Sequence, residues 1–261
     1  MARNRKCLAL TVFGLLICVA GHGCNRTPTP PVVVFLDGAG GLGFDSRIRT
    51  GLRRAGFRGD FDDHRWSTSF VPADHLLVAR IKLLGAPLAD KIERMRKRRP
   101  NEPIHLVGLS AGTAVLLDAL ERLPDSVQVD NVVLLSPSVS AERNLAAALR
   151  HVRGRLYATN SKEDYVLATL VVNADGGVGA TAGRTGFRLP KKLSEADSAL
   201  YAKVVNLPWK PAYIAYGWNG GHMRVTDPRF IRSVIAPRLL SRERLPIDQP
   251  LASARADAPT P

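Results

Sequence analysis

One stretch of this chain, residues 104–117, constrains its fold more than any other. It reads IHLVGLSAGTAVLL, an apolar run followed by Gly-x-Ser-x-Gly and then by helix-forming residues. This order predicts a strand, a sharp turn and a helix, with Ser110 on the turn and its hydroxyl above the edge of a sheet. Gly108 and Gly112 agree with this prediction, because a side chain at either position would collide where the strand and the helix pass each other.

Apolar runs alternate with helical patterns along residues 32–240. Residues 32–36 read VVVFL, which is typical of a strand buried on both faces. Further strands are predicted at 57–66, 129–135, 155–159 and 210–218. A helical region over 73–99, broken near Gly85 and Pro87, and a helix around 194–204 are among the predicted helices. The alternation predicts an α/β fold with a mostly parallel central sheet of about six strands and helices on both faces.

The composition excludes some classes of function. The formal charge is +14, since 37 Lys and Arg residues outnumber 23 Asp and Glu residues. These cations are spread along amphipathic segments with few aromatic residues between them, which argues against nucleic-acid binding and favours adhesion to anionic envelope surfaces.

The first 23 residues have the pattern of an export signal. A basic start precedes an apolar stretch at Leu8–Ala20, which is too short for a comfortable membrane span. The segment resembles a bacterial lipoprotein signal, and this resemblance implies cleavage before Cys24 and lipidation of that cysteine. A lipid-anchored lipoprotein, ordinary secretion and an uncleaved anchor stay open as alternatives. The first two predict an exported protein of the cell envelope, the periplasm or the medium.

The segments beside the predicted domain at 32–240 differ from it in composition. Residues 24–31 are rich in proline and predict an extended tether. Residues 241–261 are rich in Pro, Ala and charge and predict a disordered tail. Inside the domain, the region 167–207 contains a long glycine-rich run, which predicts either a flexible flap over the site or an extended crossover.

Partners for Ser110 are needed because a serine hydroxyl is a poor nucleophile at neutral pH without a base and an orienting acid. His222 follows a predicted strand, and catalytic groups collect at the carboxyl edge of a parallel sheet. Asp164 follows another predicted strand and lies between the serine and the histidine in sequence, with Glu163 and Asp197 as alternative acids. A capping or exposed histidine and a turn or cap aspartate are the non-catalytic alternatives.

The loop after the first strand, Asp37–Gly43, consists largely of glycine. Backbone N–H donors to a developing oxyanion are predicted at Ala111, directly after the serine, and at Ala39 or Gly40 in this loop. A plain tight turn is the alternative, whereas the glycine spacing is not that of a nucleotide-binding loop. His64 lies among three aspartates, but no second cluster completes a metal site, so no metal and no cofactor are expected.

The order of glycine-rich loop, Gly-x-Ser-x-Gly, Asp164 and His222 resembles the α/β-hydrolase family over about residues 32–240. The resemblance implies a reduced α/β-hydrolase fold that lacks the family's antiparallel leading strands. It also implies an esterase- or lipase-like serine hydrolase that cleaves a small-molecule carboxylic ester or thioester. Ser110 would carry the acyl group, His222 would be the general base and Asp164 the orienting acid. A non-catalytic envelope lipoprotein that binds through this scaffold, and an acyltransferase with the same triad, stay open.

Overall fold

The computed structural model of the chain describes residues 30–68, 78–170, 172–241, 245 and 248–251. The predicted signal segment at 1–23, most of the predicted tether and the last ten residues of the predicted tail lie outside these ranges. Within them, no helix is both long enough and apolar enough to cross a membrane.

Six strands form one sheet in the order β2-β1-β3-β4-β5-β6, and every neighbouring pair is parallel. The strands are β1 Val32–Leu36, β2 Asp60–Asp63, β3 Ile104–Leu109, β4 Val132–Leu135, β5 Leu156–Asn160 and β6 Val204–Pro208. Strands β1, β3 and β4 are buried along their whole length, which accounts for their apolar residues on both faces. The chain thus has the predicted α/β fold class, with a parallel central sheet of six strands and helices on both faces.

The helices connect these strands and cover the sheet. They are α1 Asp45–Arg54, α2 Val78–Arg98, α3 Gly112–Glu121, α4 Ala146–Arg150, α5 Tyr165–Ala168, α6 Ala182–Thr185, α7 Glu195–Leu200, α8 Pro228–Phe230 and α9 Ala236–Leu240. A π-helical turn, Ile231–Ile235, joins α8 to α9. Short 3₁₀ helices lie at Tyr201–Lys203, Pro211–Tyr216 and Met223–Thr226.

Two apolar cores lie on the two faces of the sheet. Val32, Val34 and Leu36 of β1 belong to the core that includes residues of α2 and α3. Val33 and Phe35 belong to the other core, which includes residues of α1 and of the C-terminal helices. Side chains along a strand alternate between its faces, so β1 contributes to both cores and lies between two helical layers.

The predicted break in the helix over 73–99 is wrong, because α2 is continuous from Val78 to Arg98. A Cβ at Gly85 would lie 2.1 Å from a carboxylate oxygen of Asp118, so this glycine allows α2 to pack closely on α3. Pro87 lacks the N–H that would bond the carbonyl oxygen four residues earlier in the helix. Because Pro87 lies on the exposed side of α2, that carbonyl oxygen can bond to water instead.

The strand predicted at 210–218 is also wrong. The last strand is β6, which ends at Pro208, and Pro211 begins a 3₁₀ helix. The fixed φ of proline suits the first turn of a helix and its missing N–H weakens a strand. Within the region 167–207, residues 204–207 belong to β6 and the described residues before them lie in the connection from β5 to β6, whereas a flap over the site stays a prediction.

Part of the predicted disordered tail packs on the domain instead. The buried side chain of Asp248 accepts from Nε and Nη2 of Arg238, at 3.0 and 2.8 Å. The Leu251 N–H donates to the carbonyl oxygen of Val204 in β6 at 2.8 Å. The prediction of disorder is therefore wrong for residues 248–251, because composition does not reveal a single buried ion pair.

His105 makes the stability of the fold depend on pH. Its ring is buried in β3, and Nδ1 accepts from the Asn131 N–H at 3.3 Å. Burial lowers the pKa of His105 to about 4, against the opposing effect of the Asp130 carboxylate. As pH falls, His105 is therefore protonated at a higher pH in the unfolded chain than in the folded chain. The free energy of unfolding falls as pH drops from about 6.5 to about 4.

His105→Gln removes this titration and keeps a group that can accept from Asn131. Between about pH 7 and pH 5 we expect the wild type to lose about 2 kcal/mol more stability than the variant. Urea unfolding of both proteins at the two pH values measures the difference. An equal loss in both proteins would show that His105 does not titrate in this range.

Candidate active site

The turn predicted around Ser110 joins the end of β3 to the start of α3. Ser110 adopts φ = 50°, a left-handed conformation that costs a residue with a side chain about 1–2 kcal/mol. Its N–H donates to the carbonyl oxygen of Leu135 in β4 at 3.0 Å, and its own carbonyl accepts from the Thr113 N–H at 3.0 Å. These bonds hold the strained residue, partly exposed, at the carboxyl edge of the sheet.

The two glycines beside Ser110 permit close approaches of the backbone. A Cβ at Gly112 would lie 2.3 Å from the carbonyl oxygen of Asp37 and 2.9 Å from that of Leu36. A Cβ at Gly108 would lie 3.2 Å from Thr113 Cα, a tight contact between the strand and the helix. Gly108 therefore has the predicted role, whereas the main constraint on Gly112 comes from the end of the neighbouring strand β1.

Asp164 and His222 form a buried hydrogen-bonded pair. His222 Nδ1 lies 2.7 Å from Asp164 Oδ2, and both side chains are almost fully buried. Asp164 precedes α5, and its other oxygen, Oδ1, accepts from the Leu167 N–H at 3.0 Å. A carboxylate that faces Nδ1 favours the tautomer with its proton there, which leaves Nε2 as an acceptor. A ring in that tautomer can serve as a base.

The loop that carries His222 packs closely on the segment after β5. Gly220 has φ = 90°, and a Cβ there would lie 2.8 Å from Glu163 Cβ and 2.9 Å from Ser161 Oγ. Trp218 is fully buried, and its indole N–H donates to the carbonyl oxygen of Gly221 at 3.3 Å. The rings of Tyr213, Trp218 and Phe230 stack and pack edge-on, with centroids 4.7–5.7 Å apart. This aromatic support was not predicted, because it depends on contacts distant in sequence.

The two alternative acids have other partners. Glu163 is exposed, and the hydroxyl of Tyr165 donates to it at 3.5 Å. Asp197, on α7, accepts from the Arg150 guanidinium at 2.6 Å. Of the three carboxylates considered, only Asp164 is bonded to His222 in the described part of the chain.

Ser110 and the Asp164–His222 pair share one edge of the sheet. Ser110 follows β3 and Asp164 follows β5, and β4 lies between these two strands. Across the described ranges, no hydrogen bond joins the Ser110 hydroxyl to His222. Such bonds are often long before substrate binds and shorten in the complex, so a Ser110–His222 contact stays a prediction.

The glycine-rich loop after β1 is organised by the buried carboxylate of Asp37. Its oxygens accept from the N–H groups of Gly38 at 2.8 Å, Gly43 at 2.8 Å and Phe44 at 3.1 Å. The indole N–H of Trp66 donates to the carbonyl oxygen of Asp37 at 2.8 Å. The sequence signal for Asp37 was its place between a buried strand and the glycine run, whereas nothing local indicated the role of Trp66.

This loop passes directly beside Ser110. A Cβ at Gly38 would lie 3.3 Å from Ser110 Cβ, and Gly40 has φ = 87°, which favours glycine. Within the described ranges, the N–H groups of Ala39 and Ala111 donate to no protein acceptor. These positions are compatible with the predicted oxyanion donors.

A small cavity of about 220 Å³ borders the same loop. Burial and the nearby carboxylates of Asp45 and Asp37 raise the pKa of Asp63, and Arg65 opposes them. Burial, and then the positive charge of Lys91, lower the pKa of His64.

Among the residues that the structure describes, no three His, Cys, Asp or Glu side chains converge as metal ligands.

Comparisons with known proteins bear on part of the chain. A family model described as "Protein of unknown function (DUF726)" matches residues 73–194. This range includes Ser110 and Asp164 but ends before His222. A comparison with curated proteins found no match.

Several solved structures are similar in fold. Est1E from Butyrivibrio proteoclasticus has a TM-score of 0.45 at 11% identity, with 84% of this chain and 92% of that chain covered. The carboxylesterase CesB (YbfK) from Bacillus subtilis has a TM-score of 0.43 at 12% identity, with coverages of 80% and 84%. An extracellular alpha/beta-hydrolase from Paenibacillus species has a TM-score of 0.40 at 10% identity, with coverages of 81% and 100%.

Gly112→Ala tests the close contact between the turn and β1. The added methyl group would overlap two carbonyl oxygens, so the end of β1 must shift. Gly179→Ala is the control, since no atom lies within 4 Å of its Cβ and only the cost of its φ of 90° remains, about 1–2 kcal/mol. We expect Gly112→Ala to lower the free energy of unfolding more than the control, as urea titration measures. Equal losses would contradict the contact.

Proposed function

We propose that this chain is a serine hydrolase that cleaves a carboxylic ester, or a thioester, through an acyl-enzyme on Ser110. The buried hydrogen bond between His222 and Asp164, at the sheet edge that also carries Ser110, is the observation that supports the proposal most. An imidazole oriented by a carboxylate is the base that a serine nucleophile requires. A scaffold used only for binding has no need of this pair.

In the proposed reaction, Nε2 of His222 takes the proton of the Ser110 hydroxyl while the serine oxygen attacks the carbonyl carbon of the substrate. The negative charge that develops on the carbonyl oxygen is stabilised by the N–H groups of Ala111 and of Ala39 or Gly40. The carbon–oxygen or carbon–sulfur bond then breaks, and His222 gives its proton to the leaving group. Water, activated by His222, hydrolyses the acyl-enzyme and releases the acid.

Ser110→Ala removes the nucleophile without adding volume. We expect hydrolysis of 4-nitrophenyl acetate to fall by about 10⁴- to 10⁶-fold, with an unchanged circular dichroism spectrum. Ser198→Ala, a serine on α7 outside the site, is the control and should keep full activity. Undiminished turnover in Ser110→Ala would falsify the assignment.

A fluorophosphonate probe separates the two other functions that the sequence leaves open. Labelling of the wild type at Ser110 supports a covalent enzyme, whereas no labelling and no turnover favour a binding protein. Product analysis with added alcohols then distinguishes transfer of the acyl group from its hydrolysis.

Asp164→Asn tests the orienting acid. An asparagine amide facing Nδ1 favours the opposite tautomer of His222, so kcat should fall by about 10⁴-fold while the fold persists. Asp197→Asn is the matched control, because it removes the same charge from α7. The idea fails if both variants hydrolyse 4-nitrophenyl acetate at the rate of the wild type.

A further inference from the structure

A cavity of about 490 Å³ lies at the carboxyl ends of β5 and β6, within the usual range for small-molecule sites. We name it the basic cavity. Its polar and aromatic lining includes Asn160, Lys162, Glu163, Arg184, Arg188 and Trp209. Ligands of open parallel sheets bind outside the carboxyl ends of the strands, and nothing in the proposed reaction uses these side chains.

The charges of the basic cavity are unbalanced. Three cationic side chains line it, and Glu163 is the one carboxylate among the lining residues. Arg188 lies 3.9 Å from Glu142, but more than half of each side chain is exposed, so water screens this pair. In the described part of the chain, no carboxylate lies within ion-pair distance of Lys162 or Arg184. The cavity therefore favours an anion.

Arg184 is held in place with most of its hydrogen-bonding capacity unused. Its Nη2 donates to the carbonyl oxygen of Lys162 at 3.0 Å, and its buried Nε has no partner among the described residues. A guanidinium has five N–H donors, and two of them match the oxygens of a carboxylate or a phosphate. An anion in the cavity would satisfy a half-buried group whose charge is otherwise uncompensated.

Trp209 provides an apolar wall beside these cations. It is half-buried, and its indole N–H donates to the carbonyl oxygen of Trp218 at 3.1 Å, which fixes the ring. A ligand that fits both features carries an oxyanion on an apolar group, because the group can lie against the ring.

We propose that the basic cavity binds a carboxylate or phosphate whose apolar part lies against Trp209. The segment 160–163 lines the cavity and leads directly into Asp164. Gly220, in the loop that carries His222, packs on Ser161 and Glu163 of the same segment. The anion is carried either by the acyl substrate itself or by a separate molecule. The choice between these two sources rests on the proposed function, whereas the binding of an anion does not.

Calorimetric titration of the purified full chain with phenyl phosphate tests the binding, with phenol as the neutral control ligand. We expect saturable binding that weakens with salt, and an affinity about tenfold lower in Arg184→Gln, while phenol does not bind. Arg54→Gln, the same change at an exposed position on α1, should bind as the wild type does. The Ser110→Ala variant should also bind normally, which keeps this result independent of catalysis.

Two outcomes overturn the proposal: no saturable binding to the wild type, or equal affinity in Arg184→Gln. If Arg184→Gln does not fold, Lys162→Gln replaces it, because that side chain is exposed. Its affinity for phenyl phosphate should also be lower than that of Arg54→Gln, and equal affinities would again overturn the proposal.

Kinetics distinguish the two sources of the anion. If the substrate carries it, Arg184→Gln lowers kcat/KM for 4-nitrophenyl hydrogen succinate about tenfold more than kcat/KM for neutral 4-nitrophenyl butyrate. If a separate molecule carries it, phenyl phosphate changes the rates of both esters in the wild type and of neither in Arg184→Gln. Binding of phenyl phosphate without hydrolysis of either ester would support the cavity and contradict the proposed function.

Discussion

The candidate site depends on the contact between the first turn of α3 and the end of β1. At Gly112 the helix approaches the carbonyl oxygens of Leu36 and Asp37 so closely that no side chain fits. This contact brings the glycine-rich loop beside Ser110, and the Asp37 carboxylate then closes that loop through three backbone N–H groups. The strained turn at Ser110 and the glycine-rich loop thus meet through one close backbone approach.

The second half of the site is built differently. Asp164 is fixed by its place at the start of α5, where one oxygen caps the helix and the other binds His222. His222 has no strand of its own, and its loop is held by the buried Trp218 and by the close packing of Gly220. The acid is positioned by local structure, whereas the base is positioned by tertiary packing.

This difference explains how much the sequence could predict. The strands β1, β3, β4 and β5, the turn at Ser110 and the place of Asp164 follow from local patterns of apolar residues and glycine. The strand β6 was misplaced because the buried aromatic residues of 210–218, Tyr213 and Trp218, pack on Phe230 of the C-terminal helices and not in the sheet. Trp66, and the ion pair of Arg238 with Asp248, could not be foreseen, since each joins segments whose proximity only the folded chain creates.

The position of His222 near the C-terminal end of the domain has a consequence for the proposed function. Ser110 and the glycine-rich loop come from the first half of the chain, whereas Asp164 and His222 come from residues that are synthesised later. In the proposed mechanism, Ser110 remains an ordinary alcohol until the last strand and the aromatic cluster have placed His222. Under the proposed function, a chain that is still being synthesised, or that is only partly folded, would therefore carry the nucleophile without its base.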